Sequence, residues 1–150
     1  MESIQFLAPI IAFLGFPFGL FLSFVSPEEM KTGKKYFKLF QNLLLIFILF
    51  FVLDYYTIPL IISIILTVTV FLVVFYWQNK HKSLILYLIL AVLLYLSSNN
   101  PSLFALEASL IFMYGLPAGS LLQSKKKDAL KIVAKHSIFI VLVILLILLS

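Results

Sequence analysis

Of the six acidic residues in this chain, five stand in or beside short polar segments, and the sixth, Glu107, does not. It lies inside an apolar run of about 102–122, some six residues or roughly 9 Å of helix from the end of the run. A carboxyl at that depth can take up and release a proton or hold a cation, which is why ionisable groups inside membranes mark ion paths. Because isolated charge is costly in hydrocarbon, the group is expected to be neutral, or hydrogen-bonded to a backbone carbonyl or to Tyr55, Tyr56, Ser63 or Thr67. Helical spacing sets it on one face with Ile111, Tyr114 and Ala118, pointing into a bundle beside residues 115–119. Glu107 and Tyr114 are therefore the candidate proton or ion site.

The glycines form a second pattern. Gly15-Phe16-Pro17-Phe18-Gly19 and Gly115-Leu116-Pro117-Ala118-Gly119 are two copies of G-x-P-x-G, and they hold four of the five glycines. Small residues four apart let two helix backbones approach closely, and the central proline removes a helical hydrogen bond. Gly15, Pro17, Gly19, Gly115, Pro117 and Gly119 are thus expected to act in helix packing or as hinges. Alternatively, the loosened backbone lines a cavity and offers carbonyls to a passing ion. Residues 1–50 laid over 101–150 agree at ten positions, where roughly five would agree by chance in so apolar a chain. Lys31 meets Lys131, Lys35 meets Lys135, and Glu28 faces Asp128. A parallel repeat of helical hairpins follows as the expectation, with the two G-x-P-x-G helices as neighbours.

Other residue types carry less chemistry. Ser26, Pro27 and Glu29 have the spacing of a helix cap, proline at the first helical position and a capping box. Lys31, Lys34, Lys35 and Lys38 alternate with Met30, Tyr36 and Phe37, as in an interfacial helix. Glu28, Glu29, Lys31, Lys35, Asp128, Lys131 and Lys135 are assigned to the cytoplasmic interface. His81 and His136 stand beside lysines and are expected to be solvated at a loop or interface. With no cysteine in the chain, two such distant histidines are not a metal site. No nucleophile elbow or phosphate-cradling glycine loop occurs, so catalysis and cofactors are not expected.

The elements that must position these residues are membrane spans. A span needs about 20 apolar residues, somewhat fewer where flanking lysines snorkel. That ruler gives six, at about 4–25, 37–53, 57–77, 83–97, 102–122 and 132–149. The apolar stretch around Asp54 is about twice as long as one span, so it must turn at Asp54-Tyr55-Tyr56-Thr57-Ile58-Pro59. Ser97-Ser98-Asn99-Asn100-Pro101 marks another turn. With six spans, all eleven lysines fall on one side, Glu2 and Asp54 fall on the other, and the positive-inside rule makes the lysine side cytoplasmic. The N-terminus lacks the basic start of a signal peptide and its apolar run is too long for one, so the run is expected to remain as a span.

Composition agrees. A chain 63% hydrophobic and 11% charged lies far from the soluble average of roughly half apolar and a quarter charged. Its net charge of +5 falls in short clusters between apolar runs, so the basic partner is a bilayer surface rather than nucleic acid. The fold class expected is all-α: a polytopic six-transmembrane-helix bundle in one domain, with repeat hairpins at 1–56 and 101–150 and an insert hairpin at 57–100. It would sit in the cell membrane with both termini outside, alone, as a homo-oligomer or within a larger membrane complex. The function expected first is a proton- or cation-linked transporter or channel-like protein. A non-catalytic subunit of a larger complex comes second and an intramembrane enzyme third.

Overall fold

The computed structural model describes the backbone of residues 2–76, 82–122 and 126–149. Trp77, Lys80, His81 and Lys125 lie outside the described residues, as do the side chains of Glu2, Glu29, Lys31, Lys82, Lys126 and Lys127. The described elements are all helical: α1 (Glu2–Val25), α2 (Pro27–Tyr55), α3 (Leu60–Tyr76), α4 (Lys82–Leu96), α5 (Pro101–Leu121), α6 (Lys126–His136) and α7 (Ile138–Leu149). Four stretches are long and apolar enough to cross a membrane: Gln5–Val25, Thr32–Tyr55, Pro101–Leu121 and Asp128–Leu149. Leu60–Val73 and Leu84–Leu96 are apolar but shorter. The 15 residues of α4 rise only ~22 Å, against a hydrocarbon core of ~30 Å.

The centre of the molecule is the contact between α1 and α5, the most extensive between any two helices. It is made by backbone. A Cβ placed on Gly15 would run into the carbonyl oxygen of Phe112, and one on Gly19 into that of Leu116. From the other side, a Cβ on Gly115 would lie 2.6 Å from the Phe16 nitrogen, and one on Gly119 would strike the Phe16 carbonyl oxygen and lie 2.7 Å from the Leu20 nitrogen. Residue numbers rise together along both helices, so α1 and α5 run parallel and almost in register. The segments that follow them, bearing Lys34, Lys35 and Lys38 and then Lys131 and Lys135, consequently leave one end of the bundle. Pro9 and Pro17 lie inside α1 and Pro117 inside α5.

Around this pair α2 packs on α5, and α3 packs on α2. On the far side, α4 packs on α7 and α5. Helices α3 and α4 therefore attach to different faces rather than chiefly to each other. Phe16, Ile48, Leu94, Phe104, Ile111 and Phe139, each at most 1% exposed, fill the space between α1, α2, α4, α5 and α7.

Both turns fall where the polar clusters place them. After α2, Thr57 N–H donates to Asp54 O (3.0 Å) and Ile58 N–H to Leu53 O (3.3 Å), the paired closing bonds of a Schellman motif. Its left-handed position is taken by Thr57 at φ 53°, where glycine is the usual choice and a β-branched side chain is strained. Before α5, Asn100 Oδ1 accepts from the N–H groups of Ser102 (3.0 Å) and Leu103 (3.2 Å), with Pro101 in the first turn.

Two expectations need correction. The lysine segment is no separate interfacial helix, because α2 runs unbroken for 29 residues from Pro27. At ~43 Å it is longer than a hydrocarbon core of ~30 Å, and Lys34, Lys35 and Lys38 fall within its first turns. Ser26 and Pro27 occupy the cap and first positions, yet the Ser26 side chain makes no capping bond. The last span, in turn, is interrupted at Ser137 between α6 and α7. There Ser137 Oγ donates to Ala134 O (2.8 Å) and His136 Nδ1 lies 2.8 Å from Ile132 O, two side chains competing for helix carbonyls.

The seam sets one prediction and the turn another. Gly15→Ala and Gly119→Ala each force backbone apart and should lower stability by ~1–3 kcal/mol, as overpacking does. Gly33→Ala meets only the movable ring of Phe37, at 3.0 Å, and should be neutral or stabilising. Thermal unfolding in detergent separates the two classes; equal effects at Gly33 and Gly119 would contradict the seam. Thr57→Gly should raise stability by ~1 kcal/mol in the same assay, since it removes the left-handed strain.

Candidate functional site

The site is built on the inward face of α5. Glu107, Ile111, Tyr114 and Ala118 are all buried, as their spacing predicts. Glu107 is 0% exposed, and neither of its carboxyl oxygens has a hydrogen-bond partner among the described residues. Three of the partners expected for it are engaged elsewhere. Tyr56 Oη donates to Leu96 O (3.0 Å), Ser63 Oγ to Ile58 O (3.3 Å) and Thr67 Oγ1 to Ser63 O (2.7 Å). Each hydroxyl has a single hydrogen, and it is already committed. Ionised, Glu107 would be an uncompensated charge; protonated, its O–H would lack an acceptor. Both states cost free energy, and buried polar atoms are seldom left this way.

Tyr114 lies seven residues further along α5, about 10 Å by helical rise. Its hydroxyl accepts a hydrogen bond from Gln41 Nε2 of α2 at 2.8 Å. Its ring meets that of Tyr87 from α4 edge-on, with centroids 5.9 Å apart. Tyr87 is fully buried, and its hydroxyl has no partner among the described residues. His136, at the end of α6, is 5% exposed; its ring stacks on Phe16 at 4.4 Å and stands edge-on to Tyr87 at 5.4 Å. A carbonyl can only accept, so the 2.8 Å contact with Ile132 O means that Nδ1 carries a hydrogen. The basic atom of the neutral ring is then Nε2.

His136 is thus not the solvated interface residue its lysine neighbours indicate. The Phe16 ring occupies the position beside α6 that water would take, and the hydrophobic side of the helix carries His136 inward. Tyr87 and Gln41 join the candidate site without having been singled out by pattern, and His136 joins it from its expected place at a loop or interface. Their signal is common depth: each follows a lysine on its own segment by one to five residues, at Lys135, Lys38 and Lys82.

The remaining assigned residues divide cleanly. Gly15, Gly19, Gly115 and Gly119 form the α1–α5 seam, and Pro17 and Pro117 sit within it, Pro117 buried. Glu28, Lys35, Asp128, Lys131 and Lys135 are exposed at the lysine end, Lys135 next in sequence to the buried His136. No set of three or more His, Cys, Asp or Glu side chains able to hold a metal occurs among the described residues. A desolvated metal cation needs several converging oxygens, whereas a proton needs one basic atom. The arrangement therefore suits a proton better than a metal cation. No protein-family model, curated protein or solved structure matches the chain.

An orphaned carboxyl is a stability liability. Replacing Glu107 by Leu should stabilise the isolated protein by ~1–3 kcal/mol, the cost of a buried unsatisfied group. A loss of stability on thermal unfolding would mean that the carboxyl has a strong partner.

Proposed function

We propose that this chain is a small integral membrane protein that moves protons, or a solute coupled to them, with Glu107 as the proton-binding group. In this reading the chain crosses the bilayer six times, with its lysine-bearing end in the cytoplasm and both termini outside. The α1–α2 and α5–α7 hairpins are the two copies of a parallel repeat. One observation carries the reading: a completely enclosed carboxyl with no hydrogen-bond partner among the described residues. Structural acids in hydrocarbon are paired or bonded, and an unpaired one marks an ion or proton path. The prolines of α1 and α5 support it, since each removes a helix hydrogen bond and lets the wall beside the acid flex.

A second reading rests on α3. It packs chiefly on α2 and leaves Leu60, Ile61 and Ile65 more than 60% exposed, a face that a partner helix in a larger complex would cover. A stoichiometric partner that survives gentle detergent purification would favour this accessory role.

The direct test is flux. Purified protein in liposomes carrying a trapped pH-sensitive dye should acidify the lumen under an imposed gradient, and Glu107→Gln should reduce the rate to that of empty liposomes. Transport that persists in Glu107→Gln removes the proposal.

A further inference from the structure

Besides Glu107, the bundle buries a second set of proton-exchanging groups, and its place along the helices gives it a task. Because α1 and α5 run parallel, depth can be read off either one. The pairing of Gly15 with Phe112 and Gly19 with Leu116 puts Glu107 level with about residue 10 of α1. Phe16, on which His136 stacks, lies about six residues or roughly 9 Å nearer the lysine end. Tyr114, which touches Tyr87, lies about 10 Å nearer that end along α5. Two routes through the fold therefore set Tyr87 and His136 at one depth, on the lysine side of Glu107.

We propose that Tyr87 and His136 form a second proton station, through which the proton bound by Glu107 leaves toward the lysine-bearing end. This rests on the reading of Glu107 as the proton-binding group and extends it inward. The hydroxyl of Tyr87 has no partner among the described residues, and its ring touches both Tyr114 and His136. Nδ1 of His136 carries its hydrogen toward Ile132 O, so Nε2 is the basic atom of the neutral ring. The roughly 9–10 Å from the carboxyl exceeds one hydrogen bond, so water must enter to bridge it. Glu107 passes its proton to that water and becomes a carboxylate. The water passes one on to the Tyr87 oxygen as Tyr87 gives its own hydrogen, through a second entering water since its hydroxyl has no hydrogen-bond partner among the described residues, to Nε2, and no tyrosinate accumulates. His136 then releases a proton at the lysine end, and Glu107 is reprotonated from the side of Asn100. Among the described residues, the titratable groups beside His136 include Tyr87 on α4 and Lys135 on its own helix, and the Phe16 ring of α1 stacked on it does not titrate.

Dye-loaded liposomes containing wild type, Glu107→Gln, Tyr87→Phe and His136→Phe test this, the two Phe substitutions keeping the aromatic packing. Tyr87→Phe and His136→Phe should each slow proton entry at least about tenfold, as loss of a positioned acid–base group does. Flux that needs Glu107 but stays within about twofold in both Phe variants overturns the second station and leaves Glu107 standing. Absence of wild-type flux overturns both. Should His136→Phe fail to fold, His81→Gln leaves a single histidine for nitrogen-15 spectra of the intact protein. The His136 imidazole must then titrate reversibly between about pH 5 and 8, and Tyr87→Phe must alter that titration. An imidazole that does not titrate in that range sinks the proposal.

Discussion

The fold depends on the approach of two backbones. Four stretches are apolar and long enough to cross a membrane, and helices in lipid gain little from hiding apolar side chains, because lipid is as apolar as leucine; close packing and weak backbone contacts then supply the attraction. Gly15, Gly19, Gly115 and Gly119 meet that requirement on both partners, bringing Cα hydrogens against the carbonyl oxygens of Phe112, Leu116 and Phe16. A seam of this kind tolerates no side chain and so fixes its own register. Once α1 and α5 are locked in parallel, α2 has one groove to occupy against α5, and α4 and α7 close the opposite side.

The lock also explains how polar groups can be held so far from water. Phe16 belongs to the seam and is the surface on which His136 stacks, while the same α5 that carries the glycines carries Glu107 and Tyr114. A rigid pair of helices can bear two unsatisfied side chains, Glu107 and Tyr87, whose cost a looser bundle would relieve by rearranging. The free energy gained in the seam is in part offset by these groups.

Much of this was legible in the residues, and the failures have physical causes. Hydropathy located the apolar helices α1 to α5 and α7 but not the polar α6, and the polar clusters at Asp54 and Ser97–Pro101 located both turns. The glycine spacing indicated which helices meet. Hydropathy could not place the start of α2 at Pro27, since lysine is a good helix former whose long stem keeps its charge in water while the helix continues. Nor could it see the interruption at Ser137, which arises from side-chain hydrogen bonds rather than from glycine or proline. At the site, helical periodicity aimed Glu107 inward, but whether an inward acid finds a donor depends on several other helices. His136 was misplaced because charge in its neighbours reports on the segment, whereas the direction of one side chain is set by the phase of the helix.

The seam has a temporal side as well. Gly119 is synthesised 100 positions after Gly19, so at roughly 5–20 residues per second the first helix waits about 5–20 s for its mate. Throughout that interval its bare glycine face, and the carbonyls left unbonded by Pro9 and Pro17, look out on lipid or on the insertion machinery. A nascent chain halted before α5 would hold an unfinished surface that any other small-residue helix could seize, which makes biogenesis the stage at which this protein is most vulnerable.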